Sequence, residues 1–67
     1  MSLAKVIEVM AEGETMEQAL DNAVKSASKT VDDIKSVYAE NIQGIVEGNK
    51  IVRYRINAKI TFILKNP

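Results

Sequence analysis

Near its end the chain alternates without a break. Val52, Tyr54, Ile56, Ala58, Ile60, Phe62 and Leu64 take every second place, and Arg53, Arg55, Asn57, Lys59 and Thr61 fill the places between. A period of two is that of a strand with one face buried and one wet, here running from about Lys50 to Leu64. Before it, Glu47-Gly48-Asn49-Lys50 separates two strand-like runs and predicts a β-hairpin. The preceding strand extends from about Ile34 to Glu47, and Gly44 inside it marks a bulge or a bend.

The first part of the chain has two further patterns. From about Ala4 to Ala11, Ile7, Val9 and Ala11 fall on one face and Val6, Glu8 and Met10 on the other. Both faces are largely apolar, as in a strand covered on both sides. Glu12-Gly13-Glu14 then predicts a turn. From about Met16 to Lys29 the period changes: Met16, Ala19, Leu20, Ala23, Val24 and Ala27 form one amphipathic helical stripe, opposite Glu17, Asp21, Lys25 and Ser28. Thr15 and Gln18 have the spacing of a capping box. Glu17 in the first turn and Lys29 in the last suit the helix dipole. The element order is β-α-β-β, and short connections make the last two strands antiparallel.

These lengths carry an argument about assembly. A 15-residue strand spans roughly 50 Å at about 3.3 Å per residue. A 14-residue helix covers roughly 21 Å. One helix cannot shield the apolar face of two such strands, so the sheet curls around the helix and neighbouring chains cover the remainder. Composition points the same way. The chain is one domain, 1–67, of 67 residues with no Cys, so no disulfide can supplement a core of this size. Partner subunits are the remaining source of stability.

Charge and residue types narrow the chemistry. Nine Lys and Arg balance nine Asp and Glu, and there are three aromatic residues. That composition lacks the basic patch and stacking platform of a nucleic-acid binder. No run approaches the roughly 20 apolar residues of a membrane span, and Met1-Ser2-Leu3-Ala4-Lys5 is not followed by a signal-peptide core. A cytoplasmic protein that is not an enzyme is expected. Ser2, Ser26, Ser28 and Ser36 have no His to activate them. Gly13, Gly44 and Gly48 form no phosphate-binding loop. Asp32 and Asp33 could serve a hard cation only with oxygen ligands from other segments or chains. The row Arg53, Arg55, Asn57 and Lys59 reads as a wet sheet face, or as the lining of a solvent-filled cavity or an anion site.

Over about Ala4 to Leu64 the chain resembles the dodecins. The resemblance lies in the β-α-β-β order with its Ala-rich helix. It lies also in Lys5-Val6-Ile7-Glu8-Val9, Ala27-Ser28-Lys29-Thr30-Val31, Ile34-Lys35-Ser36-Val37 and Tyr54-Arg55-Ile56-Asn57-Ala58-Lys59-Ile60-Thr61-Phe62. It implies an α+β fold, a three-stranded antiparallel sheet wrapped around one helix, with twelve chains assembling as a hollow dodecamer. It implies a binding and storage role for flavins, riboflavin or FMN, without catalysis. In flavin-binding dodecins a tryptophan of the second strand stacks on the flavin ring, and a glutamine of the last strand hydrogen-bonds its polar edge. The resemblance puts the tryptophan position at Ser36 and the glutamine position at Arg55. Losing such a tryptophan weakens binding by about ten- to a hundredfold or more, on the scale of base–aromatic stacking. Tyr38, two residues on, points to the same face as Ser36 and partly substitutes. Arg55 keeps hydrogen-bond donors and a planar face but has no acceptor. It favours an anionic ligand or pairs with an acid such as Glu40. A tryptophan-lacking branch of the family is associated with calcium, for which Asp32, Asp33 and Glu40 offer oxygens. A shell without flavin that binds such a cation, or that is purely structural, is the alternative.

Overall fold

The computed structural model describes residues 2–65; Met1, Asn66 and Pro67 lie outside the described residues. Strand β1 runs Ser2–Gly13, helix α1 Met16–Ala27, β2 Ile34–Glu47 and β3 Lys50–Lys65. The sheet order is β1-β3-β2, antiparallel throughout. The strand with the clearest alternation is thus the central one. Its apolar residues Ile56, Ala58, Ile60 and Phe62 are all buried.

Helix α1 packs on that face through Ala19, Ala23 and Ala27, which are fully or almost fully buried against Ile56, Ala58 and Ile60. Ile7, Val9 and Ala11 of β1 and Ile34, Val37 and Ala39 of β2 border the same core. Alanine on the buried stripe lets the helix backbone lie close to the sheet. The approach is tightest at Gly13, where an added Cβ would stand 2.5 Å from the Ala19 backbone nitrogen. Gly13 is therefore the last residue of β1 rather than part of a turn, and the strand is longer than its apolar pattern indicated.

Both helix ends have identifiable stops. Thr15 is in extended conformation and its Oγ1 accepts from the Gln18 N–H at 3.0 Å. Gln18 Oε1 in turn accepts from the Glu14 N–H. The reciprocal bond therefore reaches one residue further back than a standard capping box. At the other end Ser28 Oγ donates to the Lys25 carbonyl and Thr30 Oγ1 to the Ala27 carbonyl. The Ser28 hydroxyl thus supplies a donor to a last-turn carbonyl, while the Ala27 carbonyl also accepts from the Thr30 and Val31 N–H groups. The helix ends at Ala27, two residues before Lys29, and Lys25 is the basic residue of its last turn.

The hairpin turn has both central residues at positive φ, Gly48 at 59° and Asn49 at 63°. That matches a type I′ turn, whose twist suits a two-residue hairpin. The bulge foreseen near Gly44 lies slightly earlier. Between the pairs Glu40–Asn57 and Gln43–Arg55, Asn41 and Ile42 of β2 face Ile56 alone, and Asn41 has φ 52°. Further register shifts fall between Ile34 and Ser36 and between Ile45 and Val46, so Gly44 sits between the last two of the three.

The molecule measures 53 × 18 × 14 Å. Helix α1, with 12 residues, spans only about 18 Å of that length. Pairing with β1 stops at Gly13–Tyr54. Beyond it, residues 45–53 of β2 and β3 continue as a two-stranded arm. Ile42 at the base of the arm and Val46, Ile51 and Val52 on it are exposed. A two-stranded ribbon is marginal in water on its own, and clustered exposed apolar residues mark an interaction surface. On β1 the Ile7 face is covered by the helix, whereas Val6 and Met10 of the opposite face stand open in the single chain.

Candidate functional site

The sheet register fixes which side chains share the face turned away from α1. Across the three strands, Ser36 lies level with Thr61 and Val6, and Tyr38 with Lys59 and Glu8. Glu40 lies level with Asn57 and Met10, and Gln43 with Arg55 and Glu12. Ser36, Tyr38 and Arg55 thus all belong to this face. Ser36 and Tyr38 are same-face neighbours, as the sequence indicated. Arg55 is four residues along β3 from Lys59, a separation of about 13 Å. A single chain therefore unites Ser36 with Tyr38 and leaves Arg55 apart.

Ion pairs organise the polar part of the face. Arg55 Nε donates to Glu12 Oε2 at 2.6 Å, and Arg53 Nε donates to Glu12 Oε1 at 3.1 Å. Arg53 also approaches Glu47 across the hairpin at 3.8 Å. Lys59 pairs with Glu40 at 3.2 Å. The hydrogen bond from Arg55 holds the Glu12 carboxyl below the usual glutamate range, against some desolvation and with help from the charges of Arg55 and Arg53. Arg55 is thus paired with Glu12 and not with Glu40. Glu12 stands directly opposite Arg55 in the register, while Glu40 is diagonal to Lys59. The row Arg53, Arg55, Lys59 is matched by acids and is not a free anion-binding stripe. Glu12, read from the sequence as a turn residue, is the member of this face that the pattern missed.

Two concavities stand out among the described residues. One, of about 510 Å³, is lined by Thr30, Val31, Asp32, Asp33, Phe62, Ile63 and Leu64. The other, of about 270 Å³, lies beside Glu8, Met10 and Asn57 on the outward face. Among the described residues no group of three or more His, Cys, Asp or Glu side chains is placed to hold a metal ion. Asp33 pairs with Lys35 at 2.9 Å. Glu40 is seven residues along β2, about 23 Å away. Within one chain Asp32, Asp33 and Glu40 do not form one site.

The dodecin family profile matches residues 3–65. The chain belongs to the dodecin family. Solved structures agree with this. A protein from Thermus thermophilus is similar at 21% identity, with a TM-score of 0.88 and coverage of 98% of each chain. A dodecin from Streptomyces coelicolor is 24% identical, covering 98% of this chain and 96% of that one, with a TM-score of 0.85. A dodecin from Streptomyces davaonensis is 18% identical, covering 97% of each chain, also at 0.85. At these identities the structures establish the fold. A comparison with curated proteins finds no significant match. No helix among the described residues is long and apolar enough to cross a membrane.

This dodecin has three aromatic side chains, Tyr38, Tyr54 and Phe62. Phe62 is buried in the core. Tyr54, level with Gly13 and Gly44, is half-buried on the helix side of the sheet. Tyr38, at 64% exposure, is the one aromatic ring presented on the outward face.

Proposed function

We propose that this dodecin is a non-catalytic small-ligand-binding and storage protein, assembled as a hollow homododecamer, whose cargo is a flavin, riboflavin or FMN. The observation that carries the ligand is Tyr38, an aromatic ring open on the outward face beside Ser36. Planar rings stack on such a side chain with modest, sequence-tolerant energies. Assembly is supported by family membership and by the arm of residues 45–53, on which Val46, Ile51 and Val52 are exposed. Arg55, anchored by Glu12 through its Nε, retains further N–H donors for a ligand's carbonyl oxygens. Because it lies about 13 Å along β3 from the Tyr38 level, this reading has a neighbouring copy bring it to the same ligand.

Titrating riboflavin and FMN with the protein tests this reading. Flavin fluorescence is expected to quench, with an endpoint near one flavin per chain. Tyr38→Ala is expected to weaken binding about five- to 150-fold, the equivalent of one lost stacking contact of 1–3 kcal/mol. An intact particle that leaves flavin fluorescence unchanged at high micromolar protein contradicts the flavin cargo. It points instead to a cation such as calcium, with ligands from several chains, or to a purely structural shell.

A further inference from the structure

We infer that Glu12, Arg53 and Arg55 form an ionic latch that fixes the direction in which the β2–β3 arm leaves the sheet, and that acid or salt opens it and loosens the arm's hold on neighbouring copies. The second half rests on the oligomeric reading above; the first half does not.

The geometry is specific to the base of the arm. Glu12 is the last outward-facing residue of β1, whose pairing stops one residue later at Gly13–Tyr54. Arg53 lies beyond that last pair, on the part of β3 that only β2 accompanies. Arg55 lies just inside it, next to the bulge at Asn41 and Ile42 where the ladder is interrupted. One carboxylate thus bridges two guanidinium groups, one on the three-stranded sheet and one on the arm. Bulges bend strands and increase local twist, so the backbone alone leaves the angle of a two-stranded ribbon loosely set at this point. The latch crosses the outward face at that level. Glu47, through Arg53, extends it across the hairpin.

The charged groups facing the Glu12 carboxylate are Arg53 and Arg55 from β3 and, through Arg53, Glu47 from β2. Helix α1 lies on the opposite side of the sheet and meets Glu12 through Asn22, whose Nδ2 donates to its backbone carbonyl at 2.7 Å. All three latch side chains are partly exposed, so salt screens them, with a Debye length falling from about 10 Å at 0.1 M to about 3 Å at 1 M. The Glu12 carboxyl titrates below the ordinary glutamate value of 4.5. Its contribution is therefore complete above that value and is lost as the pH falls through the lower folded-state value.

Amide hydrogen exchange and native particle mass, measured together on the wild type, Glu12→Gln and Lys35→Gln, test the inference. Lys35→Gln removes an ion pair near the start of β2, away from the arm. In Glu12→Gln the arm amides, residues 45–53, are expected to exchange roughly tenfold faster, while those of residues 57–61 stay as in the wild type. Its particle is expected to come apart at lower salt than the wild type and to lose the acid-dependent step. Lys35→Gln is expected to leave arm exchange unchanged. Arm exchange equal in Glu12→Gln and wild type overturns the latch, whatever the particle mass. A wild type that is monomeric at neutral pH overturns the oligomeric reading and the release step with it, and is read separately from exchange.

Discussion

Replacing Ile51 by aspartate is expected to leave the fold of the single chain intact and to abolish its assembly. Ile51 is 55% exposed on the arm and pairs across the hairpin with Val46. Within one chain the substitution removes a cross-strand contact worth a few tenths of a kcal/mol, up to about 1 kcal/mol. In an assembly that covers the arm it buries an unpaired carboxylate, a penalty of several kcal/mol for each ion. Each copy carries the same defect, so the penalties recur at every symmetry-related contact. Circular dichroism is expected to retain the mixed helix and strand signal while light scattering reports a much smaller particle. A variant particle of unchanged mass would mean that the arm is not at a subunit contact.

The second large effect lies inside the chain. Gly13→Ala is expected to destabilise the domain by about 3 kcal/mol, at the upper end of overpacking costs. The new methyl group would stand 2.5 Å from the Ala19 nitrogen and 2.8 Å from the Gln18 carbonyl carbon. Both are backbone atoms of the first helical turns, and neither can rotate aside. Relief requires α1 to move off the sheet, which breaks the Asn22 bond to the Glu12 carbonyl and opens the alanine stripe. A core of this size holds only a few kcal/mol in reserve. Gly44→Ala is the matched control. The nearest atoms to its methyl group would belong to the Ile51 side chain, at 3.2 Å from Cδ1, and that side chain can give by a few tenths of an ångström. Urea unfolding is expected to separate the two variants clearly, with Gly44→Ala within about 0.5 kcal/mol of wild type. Equal midpoints would mean that the helix tolerates displacement from the sheet.

Much of this architecture was legible because its signals are local. The alternation from Val52 to Leu64 reports the buried face of the central strand directly. The bounds of β2 and the hairpin turn follow from Ile34, Glu47 and the Gly48-Asn49 pair. The errors arose where tertiary contacts decide. Gly13 looked like a turn residue, whereas it is a strand residue kept small by the helix crossing over it. Lys29 extended the helical pattern, but the Ser28 and Thr30 hydroxyls cap the carbonyls before it.

The outward face divides in the same way. That Ser36 and Tyr38 share it follows from their spacing of two along one strand. That Arg55 pairs with Glu12 depends on the register of β1 against β3, two strands 43 residues apart at the contact, which no local pattern encodes. The correction changes the chemistry available to a ligand. With Glu12 beside it, Arg55 is a positioned donor with its charge matched, rather than a free cation inviting an anion.

Native mass spectrometry of the protein with excess riboflavin tests the central claim most directly, because it reads assembly and cargo on one particle. The account predicts a species of about 89 kDa, twelve times the 7.4 kDa chain, with added mass in multiples of the flavin. A chain that stays monomeric, or a twelve-chain particle that carries no flavin, would contradict the shell or its cargo respectively.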